Sequence, residues 1–247
     1  SARDIMDMLT SGRILVRRLT VPEGRTVAQV YELVSIAYGL SGNLGPIPDE
    51  GTLLPDTYHY TYGDERAALI LRMSQAMTET ITRLWRDRAP DLSLQSPHEA
   101  VILASVVERE TGQAEERARV AGVFYNRLAR NMPLQSDVTV AYGAALDAGV
   151  DSRVLSRPLS RGDLKRPGPY NSYLNRGLPP GAIANPGAAA LYAVFHPEKT
   201  DALYFVADGT GGHAFASTLA EHNRNVRRWR SLQASSGDAA SPAVDAP

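Results

Sequence analysis

Apolar positions recur with a helical period over much of this chain. Between residues 64 and 88, Ile70, Met73, Met77, Ile81 and Leu84 return at three- and four-residue steps, a single stripe that predicts a long amphipathic helix packed on a core. Ser96, Pro97 and Glu99 form the next start signal, an N-cap, a first-turn proline and the reciprocal member of a capping box, which predicts a helix over residues 97–110. Another helix, over about 114–130, follows Thr111-Gly112. Upstream, a short amphipathic run at residues 4–9 stops at Ser11-Gly12, and alternation through Ile14, Val16 and Leu19 predicts a strand. Pro22-Glu23-Gly24 makes a turn and Thr26 caps a helix running to about Tyr38, so residues 1–60 form a small α+β unit. Downstream, ten of the twenty-six residues from 162 to 187 are Gly or Pro, too many for regular structure and typical of a shaped functional loop. A helix to Phe195, a strand over 202–206, a tight turn at 208–212, a strand through Phe215 and a helix from Thr218 complete the order. The final stretch, residues 234–247, holds only Ala, Ser, Gly, Asp, Pro and Val and is expected to be disordered.

Composition narrows the function classes. With 247 residues, 43% hydrophobic and 21% charged, the chain has the balance of a soluble globular protein. A net charge of −1 lacks the positive field of a nucleic-acid binder, so no nucleic-acid partner is expected. The absence of cysteine removes disulfides, thiolate metal sites and cysteine nucleophiles. None of His59, His98, His196, His213 and His222 has metal-ligand spacing, and neither a metal nor a cofactor is expected. The longest uncharged stretch, 177–197, is broken by prolines and glycines, which predicts loop then helix rather than a membrane span. Serine-hydrolase chemistry has no Gly-x-Ser-x-Gly elbow to support it.

Candidate chemistry concentrates in two places. In Val106-Val107-Glu108-Arg109-Glu110-Thr111, the two glutamates point to nearly opposite sides of a helix and cannot act as a facing pair. Glu110 falls on the stripe of Leu103, Val106 and Val107, whereas Glu108 shares its side with Val101, Ala104 and Ser105. A carboxyl on an apolar stripe in a last helical turn has its pKa pushed up by desolvation and by the helix dipole, which suits proton donation near neutral pH. The same pattern also fits solvated charges at a helix end. The second place is Tyr170-Asn171-Ser172-Tyr173 ahead of Gly177-Leu178-Pro179-Pro180-Gly181, where alternating aromatic and amide groups on a stiff loop suit a carbohydrate. A structural loop with its tyrosines on the core fits as well. The glycine-rich turn 208–212 lacks a Lys-Ser/Thr ending and reads as a hairpin rather than a phosphate loop, and Arg224, Arg227, Arg228 and Arg230 form a solvated helix face.

Taken in order, Leu103-Ala104-Ser105-Val106-Val107-Glu108-Arg109-Glu110-Thr111, Val123-Phe124-Tyr125-Asn126-Arg127-Leu128 and Leu134-Gln135-Ser136-Asp137-Val138-Thr139 are the first part of a resemblance. Tyr170-Asn171-Ser172-Tyr173, Asn185-Pro186-Gly187 and Asp208-Gly209-Thr210-Gly211-Gly212-His213 continue it, and Glu50-Gly51-Thr52-Leu53-Leu54-Pro55-Asp56 lies upstream. Together they resemble the YceG/MltG-like endolytic murein transglycosylases of bacterial cell envelopes, from residue 2 to about 230. The resemblance implies an α+β fold. A mainly helical, lysozyme-like catalytic domain with short strands would span 61–233, behind a partial LysM-like unit at 1–60 and ahead of the tail at 234–247. It implies internal cleavage of peptidoglycan glycan strands between N-acetylmuramic acid (MurNAc) and N-acetylglucosamine (GlcNAc), leaving 1,6-anhydro ends, with Glu110 as the catalytic acid. Glu108 is the second candidate for that acid, and Glu108, Gln135, Tyr170, Asn171, Tyr173 and His213 are expected to contact substrate.

One carboxyl suffices for such a lyase, because the substrate's own C6 hydroxyl is a tethered nucleophile. A hydrolase generally needs two, so Asp137, Asp56 or Glu108 would have to face Glu110. A non-catalytic peptidoglycan-binding scaffold is the competing class. The resemblance further implies cell-wall synthesis enzymes as partners and a place on the periplasmic face of the inner membrane. A single-pass N-terminal anchor would hold the full-length protein there, and this chain would be a soluble fragment that starts after it.

Overall fold

Thr26 closes the start of helix α1 (Val27–Ser35) with a full capping box: its hydroxyl accepts from the Gln29 N–H while the Gln29 side chain accepts from the Thr26 N–H. The computed structural model describes residues 1, 6, 10, 14–150, 152–155 and 157–235, so all of the run at 4–9 but Met6, and the tail beyond 235, lie outside the described residues. Strand β1 (Arg17–Thr20) pairs antiparallel with β2 (Thr57–Tyr60), Arg17 opposite Tyr60 and Thr20 opposite Thr57. Val27, Val30, Tyr31 and Val34 of α1 join Tyr58 and Tyr60 of the sheet in one apolar cluster.

Helix α2 (Arg66–Arg86) carries the predicted stripe inward, with Ile70, Met73, Met77 and Leu84 buried and Ile81 half-buried. Its first turns, through Leu69, Ile70 and Met73, belong to the N-terminal cluster, whereas Met77 and Leu84 belong to a second and larger one. One helix therefore serves both cores.

Helix α3 (Pro97–Glu110) runs through the larger core. The Ser96 hydroxyl accepts from the Glu99 N–H at 3.2 Å, as expected of an N-cap. The Glu99 carboxylate, however, accepts from the Gln95 N–H at 2.6 Å rather than from Ser96, so the expected capping box is replaced by a clasp one residue further out. All eight residues from 100 to 107 are buried. The apolar stripe of Leu103, Val106 and Val107 is consequently not one-sided, because Val101, Ala104 and Ser105 are buried too. A helix apolar all round is a core helix.

Around α3 stand α4 (Arg117–Ala129), led in by a single 3-10 turn (Ala114–Glu116), α5 (Asp137–Asp147) and α7 (Ala188–Phe195). The Gly/Pro stretch contains only the five-residue α6 (Arg161–Lys165). A hairpin follows, β3 (Tyr204–Ala207) antiparallel to β4 (His213–Ala216), then α8 (Leu219–Ser235), whose Arg224, Arg227, Arg228 and Arg230 are exposed. Gly209 (φ +88°) and Gly211 (φ +98°) supply the left-handed backbone of the hairpin turn, and the Asp208 N–H donates to the Gly212 carbonyl at 3.0 Å. Phe124 of α4 meets Phe205 of β3 edge-on at 5.9 Å, fixing the hairpin to the core. The fold is thus α+β, helices with two small antiparallel sheets. No described helix is long and apolar enough to cross a membrane.

Asn185 joins the N-terminal unit to the rest. It is 0% exposed; its backbone N–H and its Nδ2 both donate to the Arg25 carbonyl, at 2.8 and 3.0 Å, and its Oδ1 accepts from the Leu53 N–H at 2.9 Å. Gly24 donates to the Asn185 carbonyl at 3.0 Å. Asn185→Ala strands the buried Leu53 N–H and is expected to cost about 1–3 kcal/mol, read as a lower midpoint in urea unfolding with an unchanged slope.

Candidate active site

Helix α3 ends at Thr111, which turns extended (φ −134°, ψ 131°) and leaves Glu110 as the last helical residue. Glu110 is half-buried. A short hydrogen bond runs from the Ser136 hydroxyl to Glu110 Oε1. Ser136 is itself fixed at the start of α5, because its N–H donates to Ser172 Oγ at 3.0 Å and Ser172 Oγ lies 2.7 Å from Thr139 Oγ1. Burial is the largest influence on the Glu110 carboxyl and pushes it up to about 7. The negative charge of Asp137 acts in the same direction, while the Ser136 hydrogen bond and the positive charges of His213 and Arg127 oppose it.

Glu110 lies in a cleft of about 240 Å³. One wall comes from the segment around Leu134, Gln135 and Asp137 together with Tyr173; the other comes from the hairpin, through Tyr204, Phe205 and His213, and from α8, through His222, Asn223 and Trp229. Several of its polar groups hold one another. The Tyr173 hydroxyl donates to Asp137 Oδ1 at 2.6 Å, and burial followed by the Asp137 charge raises that phenol. Glu116 takes His213 with both oxygens, the ring Nδ1 at 2.6 Å and the backbone N–H at 2.8 Å. An ionised carboxylate only accepts, so Nδ1 of this imidazole is assigned a proton. Arg127, 7% exposed, donates from Nε to the Leu203 carbonyl at 2.7 Å and from Nη1 to Pro133 O, Leu134 O and Gln135 Oε1 at 3.1, 3.0 and 3.0 Å. Its guanidinium also sits 5.2 Å from the centre of the Tyr204 ring.

Of the residues expected to act together, the structure brings four to this cleft: Glu110, Gln135, Tyr173 and His213. Three lie elsewhere. The Glu108 side chain is 4% exposed, accepts from the Gly187 N–H at 2.9 Å and pairs with Arg117 at 3.5 Å, tying α3 to the starts of α7 and α4; burial raises its carboxyl. Tyr170 meets Tyr142 at 4.9 Å and packs against Gly143 of α5, outside the cleft. Asn171 is 4% exposed and works on its own loop, donating to Leu164 O and Arg166 O at 2.9 and 2.8 Å and accepting from the Tyr173 N–H at 3.0 Å. Among the three acids weighed as a second carboxylate, Asp137 alone lines the cleft; Asp56 is exposed beside β2.

The sequence reasoning assigned no role to Arg127, Ser136, Glu116 or the face of α8. A signal existed for Arg127, which continues the buried series Val120, Val123, Phe124 at helical spacing, a place where an arginine must be internally bonded. Ser136 precedes α5, and recognising that helix would have marked it. Nothing local marks Glu116, whose partner is 97 positions away.

A family model described as the YceG-like family matches residues 1–228. An endolytic murein transglycosylase of Bacillus subtilis (strain 168) is 38% identical over 182 residues, 74% of this chain and 48% of that protein. One from Streptococcus pneumoniae serotype 2 is 35% identical over 188 residues, 72% of this chain and 31% of that protein. The chain thus spans half or less of the length of these relatives. The crystal structure of a yceG-like protein from Listeria monocytogenes matches with a TM-score of 0.70 and 30% identity over 90% of this chain and 80% of that one. By the extent of the family match and the agreement in fold, the chain belongs to the YceG-like family.

Proposed function

We propose that this protein is an endolytic lytic transglycosylase, cutting the bond between MurNAc and GlcNAc within peptidoglycan strands and leaving 1,6-anhydroMurNAc ends. The observation that carries this reading is one carboxyl, Glu110, poised near neutrality beside a cleft with aromatic and hydrogen-bonding walls. The relatives named endolytic murein transglycosylase support it. Glu110 gives its proton to the glycosidic oxygen as the bond from that oxygen to the muramyl C1 breaks. The carboxylate then takes the proton of the C6 hydroxyl while O6 closes on C1, so the proton returns and no water is consumed. Ser136 occupies Oε1, which assigns the transfer to Oε2. The tethered nucleophile supplies the positioning advantage.

The catalytic domain, lysozyme-like in its helices, would span 61–233, with a partial LysM-like unit at 1–60. The division of the buried apolar residues into two clusters supports two units. Attachment to the periplasmic face of the inner membrane through an anchor ahead of this segment, and wall-synthesis enzymes as partners, rest on the family alone.

A two-carboxylate hydrolase is favoured by one observation, the presence of Asp137 in the same cleft. Its Oδ1 is already taken by Tyr173, which argues against a free base there. Mass spectrometry of digested glycan separates the readings: anhydro ends for the lyase, reducing ends for the hydrolase, intact strands for a binding module. Glu110→Gln keeps shape and removes the transferable proton, so turnover is expected to fall by about 10²–10⁴-fold with the melting temperature preserved.

The pH profile follows from sign. Proton donation needs the acid form, and with Glu110 at about 7 the kcat/KM of the free enzyme is expected to decline as pH rises through that value. Ser136→Ala removes a bond that stabilises the carboxylate and should move this basic limb to higher pH. Asp137→Asn removes a repelling charge and should move it to lower pH. Shifts in one common direction would contradict the assignment of Glu110 as the titrating acid.

A further inference from the structure

Gln135 has φ +51°, a left-handed conformation that side chains other than glycine rarely adopt. Such strain persists where the surroundings over-determine it. Here the Gln135 N–H donates to the Ser172 carbonyl at 3.0 Å, and the two preceding carbonyls, Pro133 and Leu134, are both gripped by Arg127 Nη1. The same Nη1 reaches the Gln135 side chain at 3.0 Å.

A guanidinium only donates, so the atom of the Gln135 amide that faces it is the oxygen. That fixes which end of the amide is which. Nε2, with its two N–H groups, is left to the cleft that Gln135 lines, and it makes no hydrogen bond within the protein among the described residues. Three other donors around it are committed elsewhere: the Ser136 hydroxyl to Glu110, the Tyr173 hydroxyl to Asp137 and the His213 Nδ1–H to Glu116.

Resting on the glycan reading above, we propose that Gln135 determines specificity by donating from Nε2 to the acetamido carbonyl of a bound amino sugar, with Arg127 as the residue that positions it. Sugar hydroxyls both donate and accept and are satisfied by almost any polar wall. The acetamido oxygen only accepts, and it is the strongest neutral acceptor on the glycan backbone. A fixed donor therefore matches it. An N-deacetylated sugar presents an amine at that place, so donor would meet donor, a contact that rejects as well as failing to attract.

The experiment compares wild type, Gln135→Glu and Gln135→Asn on N-acetylated glycan strands and on the same strands after chemical N-deacetylation. Both kcat/KM and the direct binding of acetylated and deacetylated oligosaccharides are measured. Gln135→Glu keeps shape and an oxygen toward Arg127 but has no donor. Gln135→Asn tolerates a positive φ and is one methylene too short to span from Arg127 to the sugar. Wild type is expected to prefer the acetylated form by about ten-fold or more, the equivalent of one hydrogen bond. Gln135→Glu should lose that preference or reverse it toward the amine, and Gln135→Asn should lose it at an unchanged melting temperature. An equal loss on both substrates, or a preference unchanged by the substitutions, overturns the proposal. Acetyl-dependent binding without any anhydro product upholds Gln135 and sinks the lyase reading; anhydro product without acetyl dependence does the reverse.

Discussion

Helix α3 is buried on every side from residue 100 to 107, and an acid of its last turn that faces inward must find partners inside the protein. That constraint separates the two glutamates. A helix C-terminus is the negative end of the backbone dipole and disfavours carboxylates. Glu108 is compensated by the Gly187 N–H at the start of α7, a positive helix end, and by the Arg117 guanidinium. Glu110 receives a single hydroxyl, from Ser136, and its charge is balanced only at longer range by Arg127 and His213. Two acids of one helical turn are thus held differently, Glu108 by an N–H and a guanidinium and Glu110 by one hydroxyl in a site whose burial keeps its proton on up to about 7.

The Gly/Pro-rich loop acts mainly from behind the cleft. Asn171, Ser172 and Asn185 are all buried, and each spends its side chain on backbone or hydroxyl groups of neighbouring segments. Ser172 in particular joins the loop to Ser136 and Thr139, so the hydroxyl that touches Glu110 is oriented by a chain that begins in residues 170–173. Of the aromatic and amide groups in that segment, only Tyr173 reaches the cleft. A loop with this composition reads as a saccharide groove because its polar side chains look free in sequence. In space they satisfy an irregular backbone that no ladder serves.

Local physics was legible in the sequence, and tertiary pairing was not. Thr26 and Ser96 mark their helices because a cap is a bond between residues three apart. The stripe of α2 is visible because burial follows helical period when one side faces water. In α3 the same reasoning gave the correct angle between Glu108 and Glu110 and the wrong contrast, since both faces are covered. Helix α5 escaped because Gly143 and short side chains leave no stripe, and its burial comes from α3, α6 and Tyr170, elements distant in sequence that pack against it. The Glu116–His213 pair and the α8 wall depend on chain closure across many residues, which no window of sequence contains.

The near-neutral carboxyl is a difference between opposing influences. Desolvation and Asp137 hold the proton on, while Ser136, His213 and Arg127 draw it off. Arg127 can lend its field without quenching it, because carbonyls and an amide take its Nε and Nη1 donors and, among the described residues, no carboxylate forms an ion pair with it. On the proposed glycan reading, a neutral sugar in the cleft would displace water from the open side of Glu110 and so strengthen the influence that is already largest. Occupancy itself would then favour the protonated acid, and Ser136, His213 and Arg127 are already placed to favour the charge that would appear once the proton leaves.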